Sequence, residues 1–244
     1  MNHDFYITGD ADCSYLPNRS ERKLFTRLER DDGMESVKYA SFLMDNGFRR
    51  DQNYFYRPEC RLCSACKSVR VQVSSFRPDR TQRKIYNRLD GGIYVSVADG
   101  ATDEHFALYQ KYEQSRHSDS EMVKMSFDEF CRMIENSPIE THLYEFRSKE
   151  TNELRAAMLV DHVVLGLSAV YSFFDVGKPK ESLGTYMIVK MIEWCRELSL
   201  PYFYLGYYIA ECRKMNYKNK FKPFEVFDFS GFPAKTGKWR TADF

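Results

Sequence analysis

Residues 153–209 read "ELRAAMLVDHVVLGLSAVYSFFDVGKPKESLGTYMIVKMIEWCRELSLPYFYLGYYI". The apolar residues change period twice along this stretch, and those changes decide the fold class. Residues 153–175 are dense in Ala, Val, Leu and Phe and break at Asp161-His162, which predicts two long strands joined by a turn there. From 182 to 199 the period becomes helical, with Gly184, Met187, Ile188, Met191, Cys195 and Leu198 on one stripe. "PYFYLGYYI" then reads as a buried strand. A hairpin, a helix and a strand in that order predict a mixed α/β sheet with a right-handed crossover.

The same reading extends outward. "MESVKYASFLMDNGF" (34–48) predicts a helix with Val37, Ala40, Leu43 and Met44 inward and Gly47 as its stop. "SVRVQV" (68–73) and "IYVSVA" (93–98) alternate as strands, the second entered through a Gly91-Gly92 turn. Thr102 opens a helix through His117, Ser126 and Glu129 form a capping-box pair, and "THLYEFRS" (141–148) is a strand. The chain divides into a small cysteine-containing module, 1–95, and an α/β unit, 96–244. At 244 residues it has enough length for both.

The start, "MNHDFYITGD", has no apolar run, and the apolar stretch 162–174 is flanked by Asp161 and Asp175 and too short for a bilayer. The expectation is a cytoplasmic protein without a membrane partner. Seven cysteines in a reducing compartment point to metal binding, catalysis or burial rather than disulfides.

A net charge of +1 conceals two basic tracts. Lys67, Arg70, Arg77, Arg80, Arg83, Lys84 and Arg88 form one; Arg213, Lys214, Lys218, Lys220 and Lys222, interleaved with Tyr217 and Phe221, form the other. A lone basic tract is most often a solvated face, but two interleaved with aromatics suit a phosphate backbone and unpaired bases. RNA is favoured over DNA. In "YRPECRLCSACKSVRV" (56–71), Cys60, Cys63 and Cys66 recur at three-residue spacing, and Cys13 is the natural fourth ligand. Zinc or an iron–sulfur cluster would satisfy this set; reduced cysteines lining a packed turn would give the same pattern. Cys131, Cys195 and Cys212 read as structural.

Five stretches carry a family likeness: "CSYLPNRSERKLFT" (13–26), "GFRRDQNYFYRPECRLCSACKSVRVQVSSFRPDRTQRK" (47–84), "GLSAVYSFFD" (166–175), "SLGTY" (182–186) and "YFYLGYYIAECRKMNYKNKFKPFEVF" (202–227). Together they resemble the bacterial aspartate/glutamate leucyltransferases, relatives of the arginyl-tRNA–protein transferases. The resemblance implies transfer of leucine from leucyl-tRNA to the α-amine of proteins beginning with Asp or Glu, which creates an N-end-rule degradation signal. It implies a GNAT-like acyltransferase fold and no cofactor for the transfer itself. Eukaryotic relatives hold a metal or iron–sulfur site with N-terminal cysteines, where this chain has Leu16 in place of the second cysteine of the pattern.

In GNAT-like sheets the reaction lies where two parallel strands splay, here "AVYSFFD" and "YFYLGYY". That assigns Asp175 as proton acceptor or amine anchor, with a strand-end cap as its bland reading, and Gly206, Tyr207 and Tyr208 as the facing backbone. Asp161 is a weaker candidate because of its turn context. Acceptor selectivity needs an arginine fork, for which Arg70 is the first choice and Arg77 the second, unless Arg70 serves a structural ion pair. Arg80, Arg83, Lys214, Tyr217 and Lys218 are assigned to tRNA. Three rivals remain: an arginyl-tRNA donor, a metal-stabilised RNA-binding module without catalysis, and an acyl-CoA enzyme. The last needs a glycine spacing that "VGKPKESLGTY" lacks.

Overall fold

In the computed structural model, which describes residues 4–31, 34–229 and 237–242, the elements follow one another in this order. Short strands β1 (Tyr6–Ile7), β2 (Ala11–Asp12) and β3 (Ser20–Glu21) lead to β4 (Lys23–Arg27), α1 (Glu35–Asp45), β5 (Arg49–Asp51), β6 (Tyr54–Pro58), β7 (Lys67–Gln72), α2 (Arg80–Leu89) and β8 (Ile93–Ala98). Then come α3 (Asp103–Arg116), α4 (Phe127–Glu135), β9 (Thr141–Ser148), β10 (Leu154–Val163), β11 (Gly166–Phe174), α5 (Leu183–Glu197), β12 (Tyr202–Tyr208), a 3-10 turn over Asn216–Lys220, β13 (Phe224–Asp228) and β14 (Lys238–Thr241). Local chemistry places several of these ends. Thr102 and Ser126 cap α3 and α4 through reciprocal bonds with His105 and Glu129, and Gly47 adopts a φ of +82° just past α1.

The strands form an eight-stranded sheet in the order β14-β13-β7-β12-β11-β10-β9-β8 and a four-stranded sheet in the order β1-β4-β6-β5, with β2 and β3 as a separate pair. Within the large sheet β11 and β12 run parallel, and the other neighbours run antiparallel. One core contains Val69, Leu167, Met187, Met191, Ile192 and Phe203, drawing on α5 and the sheet centre. Another joins Tyr109, Phe130, Leu159 and Phe173, placing α3 and α4 against β10 and β11. Leu43, Met44 and Phe55 meet Tyr204 in a third, which ties the four-stranded sheet and α1 to β12. The expected division at 95/96 falls inside β8, and β7 sits between β13 and β12.

The hairpin of residues 153–175 forms as expected, but its turn is elsewhere. Asp161 and His162 pair with Ser168 and Leu167 inside the ladder, and the chain reverses at Val164-Leu165. Asp161 stays in the strand because its charge is answered from afar. Arg50 Nε and Nη2 donate to its two oxygens at 2.8 and 2.6 Å, and Thr141 Oγ1 donates to Oδ1 at 2.7 Å. Asp161 is thus a buried ion-pair residue inside the ladder and not a turn residue, since both partners of the pair are buried.

Candidate functional site

The parallel ladder between β11 and β12 is short. It pairs Gly166 with Tyr202, Leu167 with Phe203 and Ser168 with Tyr204, although both strands continue. Each strand carries an extra residue just beyond the last pair. Val170 is inserted in β11 opposite the Leu159–Val160 step of β10, and Leu205 is inserted in β12 opposite the Val69–Arg70 step of β7. Bulges bend strands and increase twist, so two of them at one level part the strands. Beyond Ser168 and Tyr204 the two strands thus no longer pair with each other, at the carboxyl ends of two parallel strands, a placement typical of ligand sites in α/β sheets.

Gly206 stands at this level with a φ of +81°, a conformation that side chains resist. Next to it Lys218 is buried, and its Nζ donates to Tyr207 O at 2.5 Å. Arg49 Nη2 donates to Val69 O at 3.1 Å and Gly206 O at 3.4 Å, with its guanidinium over the Tyr204 and Tyr207 rings. Burial first, and then the nearby Arg49 charge, lower the Lys218 pKa to about 7. The unfolded chain binds this proton up to the ordinary lysine range and the native state releases it near neutrality. Stability from this group therefore rises with pH between the two values and is lost on acidification toward 7. Lys218→Met should flatten that slope, seen as a wild-type-minus-variant difference in urea midpoint that grows from pH 7 to pH 9.

The expected site residues are scattered around this centre. Asp175 follows β11, but its Oδ1 accepts the Gly177 N–H at 2.8 Å and its Oδ2 accepts Arg155 Nη2 at 3.2 Å, an arginine shared with Glu181. That is the strand-end cap. The Tyr207 hydroxyl donates to Gly47 O and Tyr56 O, so its side chain faces the N-terminal sheet, while its backbone lies in the part of β12 beyond the last pair with β11. Arg70 is 5% exposed. Its Nε donates to Glu225 and its Nη1 to Asp45, each at 2.6 Å, and it stacks 3.5 Å over the Tyr202 ring and 4.1 Å from that of Trp239. The fork is occupied, so Arg70 is a structural ion-pair residue and not a free reader of a ligand carboxylate. Lys218 is likewise corrected from a tRNA contact to a buried strut.

The two basic tracts do converge. Arg77, Asp79, Gln82, Asn219, Lys220 and Lys222 line one hollow of about 370 Å³. Gln82 Nε2 donates to Lys220 O at 2.9 Å, which holds the α2 start against the 3-10 turn. Arg80 and Arg83 project outward from the exposed side of α2 nearby. Tyr217 is exposed, and Lys214 pairs with Asp119 at 2.9 Å. A basic hollow of this kind suits phosphate. Charge reversal at Arg77 and Lys220 should weaken tRNA binding uniformly across sequences and reduce the slope of log affinity against log salt by roughly one per lost phosphate contact.

Cys13, Cys63 and Cys66 pack together with Leu16, Ile209 and Cys212. Burial, then repulsion from Cys60, Cys13 and Cys63, pushes the Cys66 thiol up to about 12, and Cys60 is raised for the same reasons. Arg19 Nη1 donates to Cys63 Sγ at 3.1 Å. The clustered thiols fit a thiophilic ion by donor type, although the sulfurs would have to draw closer to bind one. Among the described residues, the group of ligand atoms gathered within 4.8 Å of one another is instead Glu140, His142 and His162. Those imidazoles already engage Glu140 and the Tyr144 hydroxyl, each at 2.9 Å.

The chain's relatives bear on this geometry. Profiles described as arginine-tRNA-protein transferase, N terminus and C terminus, match residues 11–84 and 104–228. An aspartate/glutamate leucyltransferase of Ruegeria sp. (strain TM1040) is 44% identical over 91% of this chain and 80% of its own length. One of Paramagnetospirillum magneticum is 42% identical over 94% of this chain and 93% of its own. Among solved structures, L-PGS from Bacillus licheniformis superposes with a TM-score of 0.51 at 15% identity, covering 66% of this chain and 58% of that one. FemX gives 0.50 at 11% identity, covering 82% and 67%. These structural likenesses support the GNAT-like fold alone. With both halves matched and relatives above 40% identity aligned over nearly its whole length, this chain belongs to the aspartate/glutamate leucyltransferase family of aminoacyltransferases.

Proposed function

We propose that this protein moves a leucyl group from leucyl-tRNA to the α-amine of proteins beginning with Asp or Glu, marking them for N-end-rule degradation in the cytoplasm. The observation that carries the reading is the parted β11 and β12 beyond Ser168 and Tyr204, in a chain whose basic tracts meet in one hollow. The hollow would take donor phosphates, and the parted strands would take the ester and the incoming amine.

An aminoacyl ester is already activated, so the protein's part is positioning and charge stabilisation. The acceptor amine attacks the ester carbonyl, an amide forms and the ester bond to the terminal ribose breaks. The amine gives up a proton and the released hydroxyl gains one. Backbone at Gly206 and Tyr207 would lie along the reacting ester. Cys13, Cys60, Cys63 and Cys66 would hold a structural zinc or iron–sulfur cluster outside this step, stiffening the chain just before β7. Chelation should lower the melting temperature while leaving the transfer mechanism unaltered.

The test is a matrix of donors and acceptors: leucyl- or arginyl-tRNA with peptides beginning Asp, Glu, Asn or Gln. Leucine transfer to Asp and Glu is expected. Preference for arginine, or equal transfer to the amides, would refute the assigned donor or acceptor.

A further inference from the structure

On the α3 side of β11 sits an acid that the scheme above does not use. Glu113 is 0% exposed. It stands four residues beyond Tyr109 and eight beyond His105, so it shares the inward face of α3 with both. Its Oε1 accepts a hydrogen bond from the Tyr171 hydroxyl, and its Oε2 has no hydrogen-bond partner among the described residues. Tyr171 lies in the part of β11 beyond the last pair with β12.

The surroundings are aromatic. The Tyr112 ring packs 4.9 Å from Phe174 and 5.6 Å from His117, and Tyr171 packs 6.2 Å from Tyr109. Tyr217, 40% exposed, reaches the same region from the 3-10 turn, close enough that its hydroxyl and that of Tyr112 would repel if both ionised. The Lys214–Asp119 pair ties that turn to the end of α3. Burial holds the Tyr112 and Tyr171 hydroxyls well above the ordinary tyrosine range, so these walls stay neutral. Burial also lowers the His117 pKa, and the Arg116 guanidinium lies 6.0 Å over the Phe174 ring. Among the described residues no cation hydrogen-bonds the second carboxylate oxygen, and Glu113 itself is the charge that most opposes the effect of burial on His117.

A carboxylate behind aromatic faces is the chemistry that binds an ammonium, which gains both a charged hydrogen bond and the negative faces of the rings. A substrate α-amine, with a pKa of about 8, arrives mostly in that form. Both the acceptor and the leucyl group of the donor carry one. We propose that Glu113, walled by Tyr112, Tyr171 and Tyr217, binds the α-ammonium of the acceptor protein's first residue beside the parted strands. The site rests on the transferase reading above and adds to it where the incoming amine is held.

The experiment compares binding to wild-type protein, Glu113→Gln and Tyr217→Leu. One arm uses an Asp-initiated peptide with a free or an acetylated N-terminus; the other uses leucyl-tRNA and N-acetyl-leucyl-tRNA. Wild type should favour the free-amine peptide, and Glu113→Gln should lose roughly tenfold or more of that preference, as loss of a charge-assisted hydrogen bond requires. Tyr217→Leu, at an exposed position where folding is safe, should weaken the same preference and decides the matter if Glu113→Gln fails to fold. Loss confined to the tRNA arm would overturn the assignment to the acceptor. Both preferences intact would overturn the site itself. A wild-type protein that prefers free-amine peptides yet moves no leucine would leave this site standing and remove the transferase reading.

Discussion

Arg50→Ala is expected to destabilise the fold by about 3–5 kcal/mol, the range for removing one partner of a buried ion pair. The alanine variant would leave the Asp161 carboxylate buried inside β10 with only the Thr141 hydroxyl on it. The same guanidinium donates through Nη1 to Gln52 O at 3.0 Å and Asn136 O at 3.3 Å, so its removal also strips two backbone carbonyls of a partner. Such a loss is a large share of a typical domain stability of about 5–15 kcal/mol. Urea unfolding of the single variants and of Arg50→Met with Asp161→Leu reads the effect. The double variant should recover more than half of the loss, because replacing both charges with apolar groups removes the stranded one. A single-variant loss of under about 1 kcal/mol would show that the pair does not anchor the N-terminal sheet to the hairpin.

Gly166→Ala is expected to be comparably severe for a different reason. A β-carbon there would stand 2.0 Å from Tyr202 O and 2.8 Å from the carbonyl carbon, and neither atom belongs to a side chain that could rotate away. Gly166 pairs with Tyr202 at the closed end of the parted strands. The ladder would have to separate at its first pair, two pairs before the level at which the strands part. The expected cost is about 3 kcal/mol or more, the size of effect reserved for backbone-level disruption. Thermal unfolding and leucine transfer should fall together. A variant with wild-type stability would show that β11 and β12 do not close as described.

The contrast between Arg50 and Gly166 also explains how much of the molecule its sequence discloses. Local signals served well: the helical period of α5, the caps at Thr102 and Ser126, and the bounds of β9 all emerge where expected, although Leu198 of the expected stripe falls just past the helix and is 48% exposed. The family resemblance implied the neighbouring parallel pair β11 and β12, and Gly206 lies in β12 with a positive φ. What misled were polar residues whose meaning comes from distant partners. Asp161-His162 has the composition of a turn, yet Arg50, 111 residues away, makes Asp161 a strand residue, and the reversal falls on the apolar pair Val164-Leu165. For Arg70 the sequence left a ligand fork and a structural ion pair both open, and only Asp45, Glu225 and Trp239, from three other parts of the chain, decide for the pair. Lys218 reads as one more lysine in a basic run, and only the tertiary fold turns it inward onto Tyr207 O. Glu113 did carry a usable signal. Positions 105, 109 and 113 fall on one helical face with Tyr109 at its centre, which points the carboxylate inward.

The most direct test of the central claim is the mass of an Asp-initiated peptide after incubation with this protein and leucyl-tRNA. One leucine joined to the α-amine, absent with arginyl-tRNA and with the acetylated peptide, is the predicted result. An unchanged peptide under conditions where the protein binds leucyl-tRNA would contradict it.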